Sequence, residues 1–147
     1  QLAAVELEPL VRETLATEDT AGRIVASVPP QIAARADAPL LARALGNLVR
    51  NALRYAGDSG AITVDVVREG DHVLVSVADE GPGVPADALA RLGEPFYRPE
   101  LARTRESGGV GLGLAIVRSA AAACGGEVHF ANREPRGFGA ELRLAVA

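Results

Sequence analysis

Residues 47–55 read NLVRNALRY and lie in a longer segment, residues 39–56, whose apolar residues recur at helical spacing. Asn47, Asn51 and Arg54 fall at positions i, i+4 and i+7, so they share one side of the predicted helix. That side adjoins the apolar face, and buried amides need hydrogen-bond partners. The stretch therefore predicts either a helix tied to nearby loops by its asparagines or a helix that presents polar groups to a ligand.

The pattern on both sides of this helix predicts an α/β two-layer sandwich. Apolar spacing indicates, in order, a helix, two strands, a helix, a hairpin, a helical turn, a helix and two strands, over residues 8–18, 23–28, 31–36, 39–56, 61–68, 72–78, 86–92, 111–123, 127–131 and 140–146. This order is typical of a mostly antiparallel sheet with helices on one face. We expect one domain over residues 1–147.

Composition excludes several classes of phosphate site. All 15 basic residues are arginine, so neither a Walker A loop nor a eukaryotic-type protein kinase, both of which need lysine, is possible. The net charge of -4 gives no footprint for nucleic acid or an anionic membrane, and we expect neither as a partner.

Cysteine content and hydropathy are less specific. A single cysteine, Cys124, excludes an internal disulfide and is expected to be a small buried side chain among alanines. No apolar run approaches the ~18 residues of a membrane span. The chain begins at Gln1, and we expect a fragment or a processed product.

A glycine-rich turn, DEGPGVP, follows the second strand of the predicted hairpin at residues 79–85. Gly81 and Gly83 allow positive φ or close backbone approach to a ligand. Asp79, at the end of an apolar strand, is expected either to cap a turn or to accept a hydrogen bond from an exocyclic amine.

Two further segments flank a polar loop, residues 93–109, whose length is typical of a lid. Residues 94–99 read EPFYRP, an aromatic cluster that could hinge it. Residues 108–113 read GGVGLG and lead into a helix, where free N–H groups and the helix dipole favour an anion. A dinucleotide site is rejected, because the polar, irregular sequence of residues 101–107 does not predict the strand that such a site requires.

These four segments, in this order, resemble the N, G1, F and G2 boxes of bacterial sensor histidine kinases. The resemblance covers nearly the whole chain, Leu7 to Val146. It implies the fold of the wider gyrase, Hsp90, kinase and MutL ATPases, a Bergerat-type sandwich with a mobile ATP lid.

The resemblance implies ATP and Mg²⁺ as cofactors. Asp79 would bind the adenine amine, with Gly81 and Gly83 beside the base. Asn51 would coordinate Mg²⁺, and Tyr55 would form a wall against the base or sugar.

The remaining site residues would act on the phosphates. Glycines would wrap the triphosphate, and the expected contacts are Asn47, Phe96, Gly109, Val110, Gly111, Leu112 and Gly113. Arg54 would supply charge near the γ-phosphate, with Arg98 as a second candidate, so Asn47, Arg54 and Arg98 are the expected catalytic residues. Val110 stands where relatives often carry Thr or Ser, which removes one hydroxyl contact.

No phosphoacceptor box is present. His72 and His129 are each followed by an apolar residue on a predicted strand, so both are expected to be structural or surface residues. The resemblance places the acceptor on a dimerisation domain before Gln1, in the cytoplasmic part of a membrane-anchored sensor, with a response regulator as indirect partner.

Three other functions stay open. A gyrase- or Hsp90-type ATPase uses a glutamate as general base where this chain has Asn47, and an amide cannot accept that proton. A serine kinase of the same fold is less firmly excluded. A nucleotide-binding module without transfer activity is the alternative that is not an enzyme.

Overall fold

The computed structural model describes residues 1–58, 60–94 and 113–147. Its elements are β1 (Ala3–Glu6), α1 (Leu7–Glu18), β2 (Ile24–Ser27), β3 (Ala33–Ala36), α2 (Ala38–Ala56), β4 (Ile62–Glu69), β5 (His72–Ala78), α3 (Ala86–Leu89), α4 (Gly113–Ala123), β6 (Glu127–Asn132) and β7 (Phe138–Ala145). The predicted fold class is confirmed, and each predicted element in these ranges is present to within a few residues.

Five strands form the main sheet, in the order β2-β4-β5-β7-β6. β2 runs parallel to β4, and the other neighbouring pairs are antiparallel. β4 and β5 form the predicted hairpin, which turns at Gly70 with a φ of 60°. The long connection from β5 to β6 contains α3 and α4.

The helices cover one face of this sheet, as predicted. One cross-strand row on that face consists of Val66, Val75, Leu142 and Val128, all buried. The next row, on the opposite face, consists of Asp65, Ser76, Glu141 and His129. Because side chains alternate across a strand, the first row packs beneath α2 and α4 while the second faces water.

Helix α2 begins and ends at local capping residues. The Asp37 carboxylate accepts a hydrogen bond from the backbone N–H of Leu40 at 3.1 Å, which caps the helix, and Pro39 lies in its first turn. Gly57 follows the last residue with a φ of 58°. One face of α2 is buried against α1, α4 and the sheet.

One strand was not predicted. The sequence pattern predicts a first helix from residue 8, whereas β1 precedes it and pairs antiparallel with β3 in a separate two-stranded sheet. Four residues reading AAVE carry little strand signal by themselves, because this pairing joins positions more than 25 residues apart (~30 on average). The end of β7 joins this small sheet through a bridge between Ala34 and Val146.

Cys124 is buried just after α4, where its sulfur accepts a hydrogen bond from the backbone N–H of Asp37 at 3.4 Å. The expectation of a small buried side chain is confirmed. Among the described residues, no helix has the length and apolar character needed to cross a membrane.

Two valines on β4 provide a matched test of this packing. Val64 is 0% exposed beneath the helices and Val67 is 50% exposed on the open face. We expect Val64→Ala to lower the free energy of unfolding by about 2 kcal/mol, because it removes two buried carbons and leaves a cavity. Val67→Ala should change it by less than about 0.5 kcal/mol. Urea denaturation of both variants measures the difference, and equal losses would contradict the assigned faces.

Candidate nucleotide-binding site

Among the described residues, Asp79 is the one charged residue that is buried, with 4% of its surface exposed. It follows β5 directly, and its backbone N–H donates to the carbonyl of Phe138 at 2.9 Å. Its carboxylate oxygen Oδ1 accepts hydrogen bonds from the backbone N–H groups of Gly81 and Phe138, at 2.8 and 3.3 Å. The side chain is therefore fixed by the backbone of two segments.

The second oxygen, Oδ2, forms no hydrogen bond with any residue in the described part of the chain. Every fully buried side-chain oxygen in the described residues has a hydrogen-bond partner. Because Oδ2 has none, it is not fully buried. Burial raises the pKa of Asp79, and the amides of Gly81 and Phe138 and the charge of Arg133 only partly oppose it. The site thus holds a fixed acceptor with one oxygen open to a donor.

Two glycines in the turn after Asp79 are required by close packing within the protein. A Cβ at Gly81 would lie 3.0 Å from the Cα of Ala56 and 3.1 Å from the carbonyl oxygen of Tyr55, at the end of α2. Gly83 has a φ of 75°, and a Cβ there would lie 2.6 Å from Asn132 Oδ1. The predicted positive φ is confirmed at Gly83, and Gly81 brings the turn against α2.

The polar side of α2 faces the start of α4. Asn47 Nδ2 donates to the carbonyl of Arg43 at 2.9 Å, and its Oδ1 accepts from Arg50 Nη2 at 3.1 Å. A Cβ at Gly113, the first residue of α4, would lie 3.4 Å from the same oxygen. The first described residue of α4 therefore lies beside Asn47.

One turn further along α2, Asn51 is half-buried, and its amide has no hydrogen-bond partner among the described residues. The guanidinium carbon of Arg54 lies 5.9 Å from the centroid of the Tyr55 ring. An amide oxygen that is half-buried without a protein partner suits a hard cation such as Mg²⁺. The donor set therefore fits the expected metal bound together with phosphate oxygens.

Described residues of three of the four predicted segments thus lie at α2, and the glycine-rich segment is represented there by Gly113 alone. The turn after Asp79 contacts its end and α4 begins at its middle. The remaining predicted contacts lie outside the described residues: Phe96, Arg98, Gly109, Val110, Gly111 and Leu112. Residues 95–109 of the loop expected to form a lid lie outside them as well.

Several polar residues near the site were missed by sequence reasoning. Arg50 forms an ion pair with Glu18 of α1 while it donates to Asn47. In the turn between β6 and β7, Arg133 and Arg136 donate to backbone carbonyls of the turn after Asp79. Neither arrangement has a local sequence signal, because each joins elements distant in the chain.

Both histidines lie on strands, as predicted. His72 Nδ1 is 3.3 Å from Arg143 Nη2, and His129 Nε2 is 3.1 Å from Glu127 Oε1. The alternation along β5 and β6 places both on the open face of the sheet, opposite α2.

Comparison with known proteins identifies the architecture. Residues 36–147 match the family described as histidine kinase-, DNA gyrase B-, and HSP90-like ATPase. The chain is 44% identical over 102 residues to the sensor protein IrlS of Burkholderia pseudomallei (strain K96243), which is 69% of this chain and 22% of that protein. It therefore spans about a fifth of the length of this relative.

Two solved structures are similar. The mycobacterial sensor histidine kinase MprB has a TM-score of 0.83 at 25% identity, with 98% of both chains covered. Full-length ShkA in complex with AMPPNP has a TM-score of 0.81 at 32% identity, covering 100% of this chain and 31% of that one.

The raised pKa of Asp79 predicts that the stability difference between wild type and Asp79→Asn depends on pH. The folded state keeps this proton to a higher pH than the unfolded chain, so the free energy of unfolding falls as pH rises from the ordinary value of 3.8 through the folded-state pKa. Asp79→Asn cannot titrate. Its stability relative to wild type should therefore increase between pH 4 and pH 7, measured by urea midpoints at both. A constant difference would show that burial does not perturb this carboxylate.

Proposed function

The chain belongs to the histidine kinase-, DNA gyrase B- and HSP90-like ATPase family, and from this we propose that it is the ATP-binding catalytic domain of a sensor histidine kinase. It would bind Mg-ATP and transfer the γ-phosphoryl group to a histidine on a separate dimerisation and phosphoacceptor domain. Sensor proteins among its relatives support this proposal.

The observation that carries the proposal is the buried Asp79 carboxylate with one open oxygen. An ionised carboxylate only accepts hydrogen bonds, so its ligand must offer a donor. The exocyclic amine of adenine is such a donor, whereas the corresponding position of guanine carries an oxygen. Because Oδ1 is held by two backbone amides, Oδ2 is oriented before any ligand binds.

Phosphates would lie between α2 and the start of α4. The first N–H groups of α4 have no helical partner, and the helix dipole favours negative charge there. Gly113, the first described residue of α4, lies beside Asn47, and Asn51 would hold Mg²⁺ against the phosphates. Nucleotide binding is supported by the similar protein ShkA, whose structure is in complex with AMPPNP.

Positive charge at the γ-phosphate would come from arginine. Arg54 lies on the same side of α2 as the asparagines and stacks near Tyr55, which would flank the base or sugar. Arg98, Phe96 and the glycine loop at residues 109–112 are proposed from their motifs alone. The chemistry asked of these residues is positioning and charge neutralisation.

Transfer is favoured over hydrolysis by the state of Asn47. Its Nδ2 donates to a carbonyl, and its Oδ1 accepts from Arg50, so no group at this position can take a proton from water. In transfer, a nitrogen of the acceptor imidazole attacks the γ-phosphorus, the bond to the bridging oxygen breaks, and ADP leaves. His72 and His129 lie on the far face of the sheet, so the acceptor belongs elsewhere.

The proposed setting is a longer sensor protein. Residues 1–147 would form one catalytic domain in its cytoplasmic part, beside a dimerisation domain, in a protein anchored in the membrane elsewhere. A response regulator would receive the phosphoryl group from that domain and would therefore be an indirect partner of this chain.

The metal assignment predicts a specific loss in Asn51→Ala. Removing the amide oxygen should lower ATP affinity in Mg²⁺ to the level measured without Mg²⁺, because the ion then lacks its protein ligand. Adenosine binding, which needs no metal, should stay within about twofold of wild type and serves as the control. Calorimetry with and without EDTA measures both, and an undiminished Mg²⁺ effect would refute the assignment.

The transfer assignment predicts that the chain binds ATP, hydrolyses it very slowly and does not label itself. With radiolabelled ATP and the acceptor hairpin of its full-length protein, label should appear on the hairpin as an acid-labile, base-stable phosphoramidate. A hairpin whose histidine is replaced should remain unlabelled. Asp79→Asn, which replaces the open acceptor with a donor at a cost of ~2 kcal/mol or more, should label the hairpin at least ~30-fold more slowly at subsaturating ATP.

Each alternative gives a different result in the same experiment. Rapid phosphate release without the hairpin indicates an ATPase, and label on a serine indicates a serine kinase. ATP binding with no label under any condition indicates a module without transfer activity.

A further inference from the structure

The turn between β6 and β7, residues 132–137, packs along residues 79–84 of the glycine-rich turn after β5, which we call the nucleotide turn. Arg133 Nη1 donates to the carbonyl oxygen of Asp79 at 2.7 Å. Arg136 Nε donates to the carbonyls of Glu80 and Gly81 at 2.9 and 3.3 Å. Three successive carbonyls, all beyond the end of β5, are thus paired with two guanidinium groups.

Asn132 holds the far end of the nucleotide turn. Its Oδ1 accepts from the backbone N–H of Val84 at 2.9 Å, and its Nδ2 donates to the carbonyl of the same residue at 2.6 Å. The side-chain amide therefore pairs with the backbone as a neighbouring strand would.

The two turns are in direct backbone contact as well. Gly137 has a φ of 120°, and a Cβ there would lie 2.0 Å from the carbonyl oxygen of Asp79, so no larger residue fits. The N–H of Arg133 closes its own turn on the carbonyl of Gly137 at 2.8 Å. The guanidinium groups therefore extend from a backbone that is itself fixed.

We propose that Arg133 and Arg136 are positioning residues of the nucleotide site, which hold the backbone of residues 79–84 so that the open oxygen of Asp79 faces the base. This inference rests on the proposed function for its ligand. It assigns the last β-turn of the chain to the binding site, although none of the four motif segments includes it.

The two arginines differ in their effect on the carboxylate. The charge of Arg133, with a smaller effect from Arg23, lowers the pKa of Asp79 against the effect of burial. Arg136 binds the next two carbonyls, and the neighbouring Glu80 carboxylate is turned toward the N–H of Ala61 at 3.4 Å. Arg133 therefore influences both the geometry and the ionisation of Asp79, while Arg136 influences the geometry.

This difference gives a test with matched variants. Calorimetry would measure ATP affinity from pH 5 to pH 8 for wild type, Arg133→Gln, Arg136→Gln and, as control, Arg143→Gln on the open face of β7. We expect Arg133→Gln and Arg136→Gln each to weaken binding roughly tenfold at pH 8, the effect of losing one charge-assisted hydrogen bond. Arg143→Gln should bind as wild type.

The pH profile separates charge from support. ATP affinity should fall at acid pH as Asp79 becomes protonated, and this fall is the acid limb of the profile. Because Arg133 lowers the pKa of Asp79, Arg133→Gln should move the limb to higher pH. Arg136→Gln should leave it in place. Arg133→Lys, which keeps the charge, should restore the limb. A purely structural role would weaken binding in both variants without moving the limb.

Amide hydrogen exchange of the ligand-free chain tests the support without ATP. Exchange at Gly81 and Phe138, the two donors to Asp79, should speed up in Arg133→Gln and Arg136→Gln but stay as in wild type in Arg143→Gln. Unchanged exchange at these amides, or affinity within twofold of Arg143→Gln, would overturn the inference. Failure of wild type to bind ATP would instead refute the proposed function, and the exchange result would still decide whether the arginines hold the turn.

Discussion

Placing a carboxylate in a protein interior costs free energy unless hydrogen-bond donors compensate it. At Asp79 the donors are backbone N–H groups, which cannot rotate away as side chains can. Compensation is incomplete, as the raised pKa shows. A binding site uses such a group well, because a ligand that donates to the open oxygen supplies the interaction that folding left unmade.

Helix α2 must supply both apolar side chains for the core and polar side chains for the site. It does so by placing them on different sides of the helix. Its buried face consists of leucine, valine and alanine, while its adjoining side carries the asparagines. Gly46, also buried, lies beside the ion pair of Arg50 and Glu18, which joins α2 to α1. The other terminal nitrogen of Arg50 donates to the oxygen of Asn47. One arginine therefore links the packing of α1 to the proposed site.

Much of the fold could be predicted because its signals are local. The periodicity of α2, the Asp37 cap and the β4–β5 hairpin each depend on residues within one segment. The positive φ at Gly83 was predictable for the same reason. By contrast, pairing of β1 with β3 and the contacts of Arg50 and Arg133 depend on residues brought together only by folding.

The interpretation of Gly81 shows the same limit. The sequence predicted either close approach to a ligand or a positive φ there, and the structure shows a further requirement, close packing against the end of α2. Sequence identifies that a position needs glycine more readily than it identifies which neighbour requires it. The roles assigned to the motif residues are proposals for that reason.

Strand register also determines whether the site exists. Ala78 pairs with Gly139 in the β5–β7 ladder, and the bonds between Asp79 and Phe138 continue that ladder by one residue. A slip of one residue would turn the core side chains of β7 outward and remove the donor from the carboxylate at the same time. A sheet with a shifted register would therefore lack the fixed carboxylate, so the pairing of β5 with β7 positions the site as well as the core.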